Sequence, residues 1–138
     1  MKPTSQHRRL QMQVPARTQS VSPEVASVWG GFLMEGLMVS DFDGQRPARV
    51  LEAWGDGCRE LLQAVCAYVP VLHAQVCAAP ARPAGYPGVF EYEVVSGLGR
   101  RLGDYLLTHA GRLPEPAAVE AMARELVLAF FDPPRGGH

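Results

Sequence analysis

The sequence predicts an all-α protein: an irregular bundle of about four helices preceded by an extended basic N-terminal arm. Apolar residues recur at spacings of three and four along most of the chain, which is the period of amphipathic helices. Strand-like alternation is confined to three short stretches, "RLQMQV", "VLHAQV" and "VFEYEVV". Strands at these stretches would give an α+β protein with a small sheet, and this is the alternative fold.

The first helix is predicted over residues 23–38. Ser22 is a favourable cap, Pro23 suits the first helical position, and Glu24 lies near the positive end of the helix dipole. The turn-forming stretch "SDFDGQRP" ends this helix. The apolar stripe of the helix consists of Val25, Val28, Trp29, Phe32, Leu33 and Leu37.

A second helix is predicted over 47–69, where the apolar stripe is the longest in the chain. Pro70 ends or kinks this helix, because proline cannot donate the backbone hydrogen bond of a helix interior. A short further element follows over 71–78. The stripe consists of Val50, Leu51, Trp54, Cys58, Leu61, Leu62, Val65 and Val69.

The third helix, over 88–110, contains a glycine pattern that has the outline of a phosphate-binding loop. Gly97, Gly99 and Gly103 follow the apolar stretch "VFEYEVV", as in a strand, turn and helix. A helix is favoured instead, because no later strand supplies an acidic residue for a ribose and no Gly-Lys-Ser/Thr occurs. The helical stripe consists of Val95, Leu98, Leu102, Tyr105, Leu106 and His109.

Gly99 and Gly103 are four residues apart and therefore share one face of the predicted helix. Small residues placed in this way allow another backbone to approach closely. A close crossing inside the bundle is the favoured explanation. The alternative is a contact between subunits, in which Trp29 would be a third interface residue.

The last helix is predicted over 115–131, where Val119, Met122, Leu126 and Phe130 form the apolar stripe. The domain organisation that follows is a flexible arm over 1–21, one helical domain over 22–132 and a mobile tail over 133–138.

The composition excludes several classes of protein. With 47% hydrophobic residues, 20% charged residues and a net charge of −1, the chain is globular and has no global field for nucleic acid or anionic lipid. No apolar stretch is expected to reach the roughly 18 residues that span a bilayer. Three cysteines without a Cys-x-x-Cys pair indicate a reducing compartment. We therefore expect a cytoplasmic protein that is not associated with a membrane.

No metal site and no cofactor are predicted. Asp41 and Asp43 have the spacing of calcium ligands, but Arg46 stands where such a loop requires glycine. His73 and Cys77 are four residues apart, but no second pair of ligands accompanies them. A turn with solvated carboxylates and buried thiols explains these residues.

The sequence does not favour an enzyme. Gly-x-Ser-x-Gly is absent, and no histidine has a neighbour that defines a base with its orienting group. If the chain nevertheless binds or converts a small ligand, we expect a pocket near Gly99 and Gly103. The candidate ligand-binding residues are Tyr92, Glu93, Tyr105 and His109.

Three functional hypotheses follow. The leading one is a non-catalytic protein–protein interaction module or self-associating accessory protein, of the kind encoded by bacteria or their mobile elements. Its partner would be another protein or a second copy in a homo-oligomer. The first alternative is the small-ligand-binding or catalytic helical protein just described. The second is a nucleic-acid-associated regulator that would use Arg8, Arg9 and Arg17 of the arm to contact phosphates.

Overall fold

A computed structural model describes residues 21–39, 41–55, 58–80 and 87–131. In these ranges the chain forms helices and no strand, so the all-α class is confirmed. The stretches "VLHAQV" and "VFEYEVV" are helical, whereas "RLQMQV", the tail 133–138 and all but Val21 of the arm lie outside the described residues. The helices are α1 (Pro23–Leu37), α2 (Arg46–Trp54), α3 (Cys58–Ala67), α4 (Val69–Cys77), α5 (Pro87–Thr108) and α6 (Pro116–Phe131).

Helices α1, α5 and α6 agree with the predicted ranges 23–38, 88–110 and 115–131 to within two residues. The capping prediction for α1 is confirmed, because the Ser22 hydroxyl accepts a hydrogen bond from the Val25 N–H at 3.2 Å. Beyond the end of α5, Gly111 has a φ of +82°, and its N–H donates to the Leu106 carbonyl at 3.0 Å. This left-handed residue is the glycine cap that helix C-termini commonly use.

The predicted helix over 47–69 is in fact two helices, α2 and α3. Gly55 has a φ of +96°, and its N–H donates to the carbonyls of Leu51 and Glu52 at 3.0 and 3.1 Å. This conformation ends α2, although the apolar period continues beyond it. The turn at Tyr68 then separates α3 from α4, which carries Pro70 in its first turn. The prediction that Pro70 interrupts a helix is thus confirmed.

The core is built around α5, which contacts α1, α2 and α6. Helix α4 packs on α6, and α3 packs on α1. Because α5 is covered on several sides, its buried stripe is wider than that of a surface helix. The α5 residues with less than 3% of their surface exposed are Phe90, Val94, Val95, Leu98, Leu102 and Leu106.

Helices α1 and α5 touch through their backbones. A methyl group on Gly36 would collide with the Ser96 carbonyl, whose carbon would lie 2.8 Å away. A methyl group on Gly99 would collide with the Leu33 carbonyl in the same way. Gly103 lies one turn further along, beneath the Leu37 carbonyl and the guanidinium of Arg46.

Gly99 and Gly103 are therefore buried in an internal crossing. Helix α1 covers both glycines. A second chain therefore cannot contact Gly99 or Gly103 while α1 is in place. Glycine is required at position 99 because any side chain there would have to displace the backbone of α1, whereas a side chain at position 103 would first meet the guanidinium of Arg46.

One stretch of the described residues, Arg59–Cys77, is long and apolar enough to cross a membrane by length and composition, with a mean hydropathy of 1.2. The expectation that no stretch reaches that length is therefore wrong. A single such stretch is weak evidence, because core helices of soluble proteins meet the same criterion. The side chains that this stretch buries in the core are Leu61, Val65, Val69, Leu72 and Val76.

Candidate functional site

A cleft of about 330 Å³ lies beside the crossing of α1 and α5. Gly36, where the two backbones touch, is one of the residues that line this cleft. The cleft carries carboxylates, a phenol and a guanidinium within a small volume. Its lining residues are Glu35, Gly36, Val39, Tyr92, Glu93, Ser96, Gly97 and Arg100.

Tyr92 is the lining residue of this cleft with the best defined contacts. Its side chain is hydrogen-bonded to Glu35, and its ring meets the Phe32 ring edge to face, with centroids 5.2 Å apart. The negative charge of Glu35 raises the pKa of Tyr92 above its ordinary value of 10.0, and the hydrogen bond, desolvation and the charge of Glu93 act in the same direction. The phenol therefore stays protonated at neutral pH and acts as a donor to Glu35.

Replacing Glu35 with glutamine is expected to lower the pH at which Tyr92 ionises, because the main source of negative charge beside the phenol is removed. The raised pKa stabilises the fold below the unfolded value near 10.0, and this contribution is lost as the pH rises through the folded pKa. Ultraviolet absorbance of tyrosinate during an alkaline titration measures the change. A Tyr92→Phe variant identifies the signal, and an unchanged titration in Glu35→Gln would contradict the assignment.

Ser96 is not an activated nucleophile. Its hydroxyl donates to the Tyr92 carbonyl on the same helix at 2.6 Å, which is the usual local bond of a serine inside a helix. No histidine lines this cleft. The cleft is lined by two carboxylates, those of Glu35 and Glu93, and by the exposed cation Arg100.

The four predicted ligand-binding residues do not form one site. Tyr92 and Glu93 line the cleft, but Tyr105 and His109 lie near the end of α5, about 20 Å further along the helix axis. There the two rings stack with centroids 3.7 Å apart and an interplanar angle of 8°. The His109 imidazole also lies 2.9 Å from the Thr108 hydroxyl, so local contacts account for its position.

Sequence reasoning missed Glu35 and Arg100. Both residues are exposed charges without a motif, and only the pairing of α1 with α5 brings them into one cleft. Gly36 was the available signal, because a glycine inside an amphipathic helix indicates a close neighbour and Glu35 precedes it directly.

Two exposed valines precede the aromatic pair of the cleft, one on α1 and one on α5. Helices α1 and α5 run in the same direction, because Phe32 meets Tyr92 and Gly36 meets Ser96 further along both helices. Val28 and Val89 precede the aromatic pair by about one turn and are 53% and 51% exposed. We call Val28, Phe32, Val89 and Tyr92 the α1–α5 face.

Trp29, the third predicted interface residue, is part of the core. Its side chain is 6% exposed, and its ring centroid lies 5.2 Å from that of His73 on α4. The indole is therefore covered within the chain and does not belong to an exposed contact surface. Arg8, Arg9 and Arg17, the predicted nucleic-acid contacts, lie outside the described residues.

The loop before α2 is a turn. The Asp41 carboxylate accepts hydrogen bonds from the N–H groups of Gln45 and Arg46 at 2.8 and 3.3 Å. Desolvation alone would raise the pKa of Asp41, but these backbone bonds outweigh it and hold the pKa below 3.8. The carboxylate thus satisfies the start of α2, as an acidic cap does. Phe42, in the same turn, is fully exposed at 103%.

The described residues contain no group of three or more side chains that could hold a metal ion. His73 and Cys77 do lie together, with the sulfur 3.7 Å from the imidazole Nδ1, but a third ligand is missing in this part of the chain. Cys66 and Cys77 are both exposed, so the expectation of buried thiols is wrong for these two residues. Comparisons with protein families, curated proteins and solved structures find no match to this chain.

Proposed function

We propose that the protein is a non-catalytic interaction module that self-associates through the α1–α5 face. The observation that supports this most directly is the position of Val28 and Val89, two half-exposed valines that flank the Phe32–Tyr92 pair. Exposed apolar side chains that are contiguous and bordered by polar groups are typical of protein contact surfaces. A role among the accessory proteins of bacteria or their mobile elements stays a prediction.

The charges beside the face favour a second copy as the partner. Glu35 and Glu93 are negative, whereas Arg100 in the same cleft is positive. In a two-fold contact each copy presents the same surface to the other. If one residue of the first copy contacts a different residue of the second copy, the same pair also forms with the two copies exchanged. Arg100 of each copy can then face the carboxylates of the other, and the two valines add the apolar area.

The variant Val28→Glu/Val89→Glu is expected to weaken self-association by at least about tenfold, because a charge would lose its water in the contact. Sedimentation velocity over a concentration series measures the association. The matched control is Leu62→Glu/Leu128→Glu, which changes two side chains of equal exposure, 50% and 51%, on α3 and α6.

Both double variants are expected to keep the helical circular dichroism of the wild type, because none of the four residues belongs to the core cluster or to the side chains packed against it. Self-association that is weakened only in the α1–α5 variant would support the proposal. Equal behaviour of the two variants would place the contact elsewhere.

A further inference from the structure

We propose that residues 8–14 of the N-terminal arm bind the α1–α5 face of their own chain and thereby compete with a second copy. The competition rests on the proposed self-association, whereas the binding of the arm does not. Apolar complementarity, charge complementarity and chain length support the binding of the arm.

The apolar side chains of the arm match the spacing of the face. Leu10, Met12 and Val14 alternate with glutamines, and alternate residues of an extended chain point to one side. Alternate residues of an extended chain are spaced about 6.6 Å apart along the chain. Residues four apart on a helix, as Val28 and Phe32 are, are spaced about 6 Å apart along the helix axis. One extended segment can therefore contact successive turns of α1 in register.

The charges of the two surfaces are complementary. Arg8 and Arg9 directly precede Leu10 in the sequence. Glu35 and Glu93 lie at the cleft end of the face, where both act on Tyr92. An arm that runs antiparallel to α1 brings its arginines towards these carboxylates, and arginine–carboxylate pairs favour two parallel hydrogen bonds.

The length of the arm allows it to reach the cleft. Helix α1 begins at Pro23, so Phe32 lies about 14 Å and Glu35 about 18 Å along its axis. An extended chain covers about 3.3 Å per residue. After a reversal of about four residues before Val21, the nine residues 8–16 can span about 30 Å, which is enough to pass the two apolar turns of α1 and to bring the arginines to the carboxylates.

The test uses the full chain with p-benzoylphenylalanine in place of Met12. After irradiation of a dilute sample, peptide mass spectrometry locates the cross-links, and gel mobility separates those within one chain from those between chains. We expect cross-links within one chain, at residues 28–36 of α1 or 89–96 of α5. Cross-links that avoid both ranges, or that form only between chains, would overturn the proposal.

Charge reversal supplies the specificity control. Glu35→Arg/Glu93→Arg is expected to reduce the cross-link yield at least about threefold, and adding Arg8→Glu/Arg9→Glu is expected to restore it. Leu62→Glu/Leu128→Glu should leave the yield unchanged, because these residues lie on α3 and α6. Failure of the restoring substitutions in a folded protein would overturn the charge pairing and with it the proposed register.

The two proposals fail separately. In the variant Arg8→Glu/Arg9→Glu alone, the dissociation constant of self-association is expected to fall at least about threefold. The arm then covers fewer α1–α5 faces, so a larger fraction of them is free to bind a second copy. Cross-links at the face in a chain that stays monomeric would support arm binding and overturn self-association. A dimer without cross-links at the face would support self-association and overturn arm binding.

Discussion

Replacing Gly99 with alanine is expected to cost at least about 3 kcal/mol of the free energy of unfolding, and replacing it with leucine is expected to prevent folding. The added Cβ would meet the Leu33 carbonyl, whose carbon lies 3.0 Å away, and the Leu37 nitrogen at 2.9 Å. These atoms belong to the backbone of α1, so a rotamer change cannot relieve the collision. The two helices would have to separate and expose the most extensive packing in the bundle.

Urea denaturation measures the effect, with Gly31→Ala as the matched control. Gly31 is also a helical glycine, on the exposed side of α1, and a Cβ there meets nothing within 4 Å. Gly31→Ala is expected to be neutral or to stabilise by up to about 1 kcal/mol, because alanine has the higher helix propensity. Equal effects of the two substitutions would contradict the crossing described above.

Removing Asp104 is expected to have the second largest effect. Arg46 is 8% exposed, and its guanidinium donates to the Asp104 carboxylate at 2.6 Å and to the Arg100 carbonyl at 2.9 Å. Its buried Nε has no hydrogen-bond partner among the described residues. Asp104→Ala leaves this buried cation without its counter-charge, which we expect to cost about 2 kcal/mol. The expected loss is below the range of about 3–5 kcal/mol for breaking a fully buried pair, because the Asp104 side chain is 61% exposed.

Arg46→Met is expected to cost less than Asp104→Ala, since methionine keeps much of the packing beside Gly103 and removes the buried charge itself. Urea denaturation of both single variants and of the double variant measures the coupling between the two residues. Glu125→Ala is the control, because its 2.7 Å bridge to Arg101 is exposed and should contribute less than about 1 kcal/mol. A larger loss in Arg46→Met than in Asp104→Ala would contradict this account of the pair.

Periodicity predicted the helices well because packing around α5 uses nearly every apolar position of the stripes. It failed at Gly55, where the apolar period passes through a left-handed residue without a change. The period reports which side of a helix is buried, and it carries no information on whether the backbone stays helical at a single position. The glycine–aspartate–glycine sequence at 55–57 was the local signal of the break.

The candidate site was only partly predictable. Tyr92 and Glu93 could be named from α5 alone, because they are polar groups on a helix that carries glycines. Glu35 and Arg100 could not, since the cleft exists only where α1 crosses α5, and periodicity does not say which helices pair. Trp29 shows the opposite error: tryptophan is common in contact surfaces and in cores, and here α4 covers it.

Self-association through the α1–α5 face is the central claim, and the molar mass of the wild-type protein tests it most directly. Light scattering over a series of concentrations should give a mass that rises from 15.0 kDa towards twice that value. A mass that stays at 15.0 kDa at every concentration, in a sample with intact helical circular dichroism, would contradict the claim.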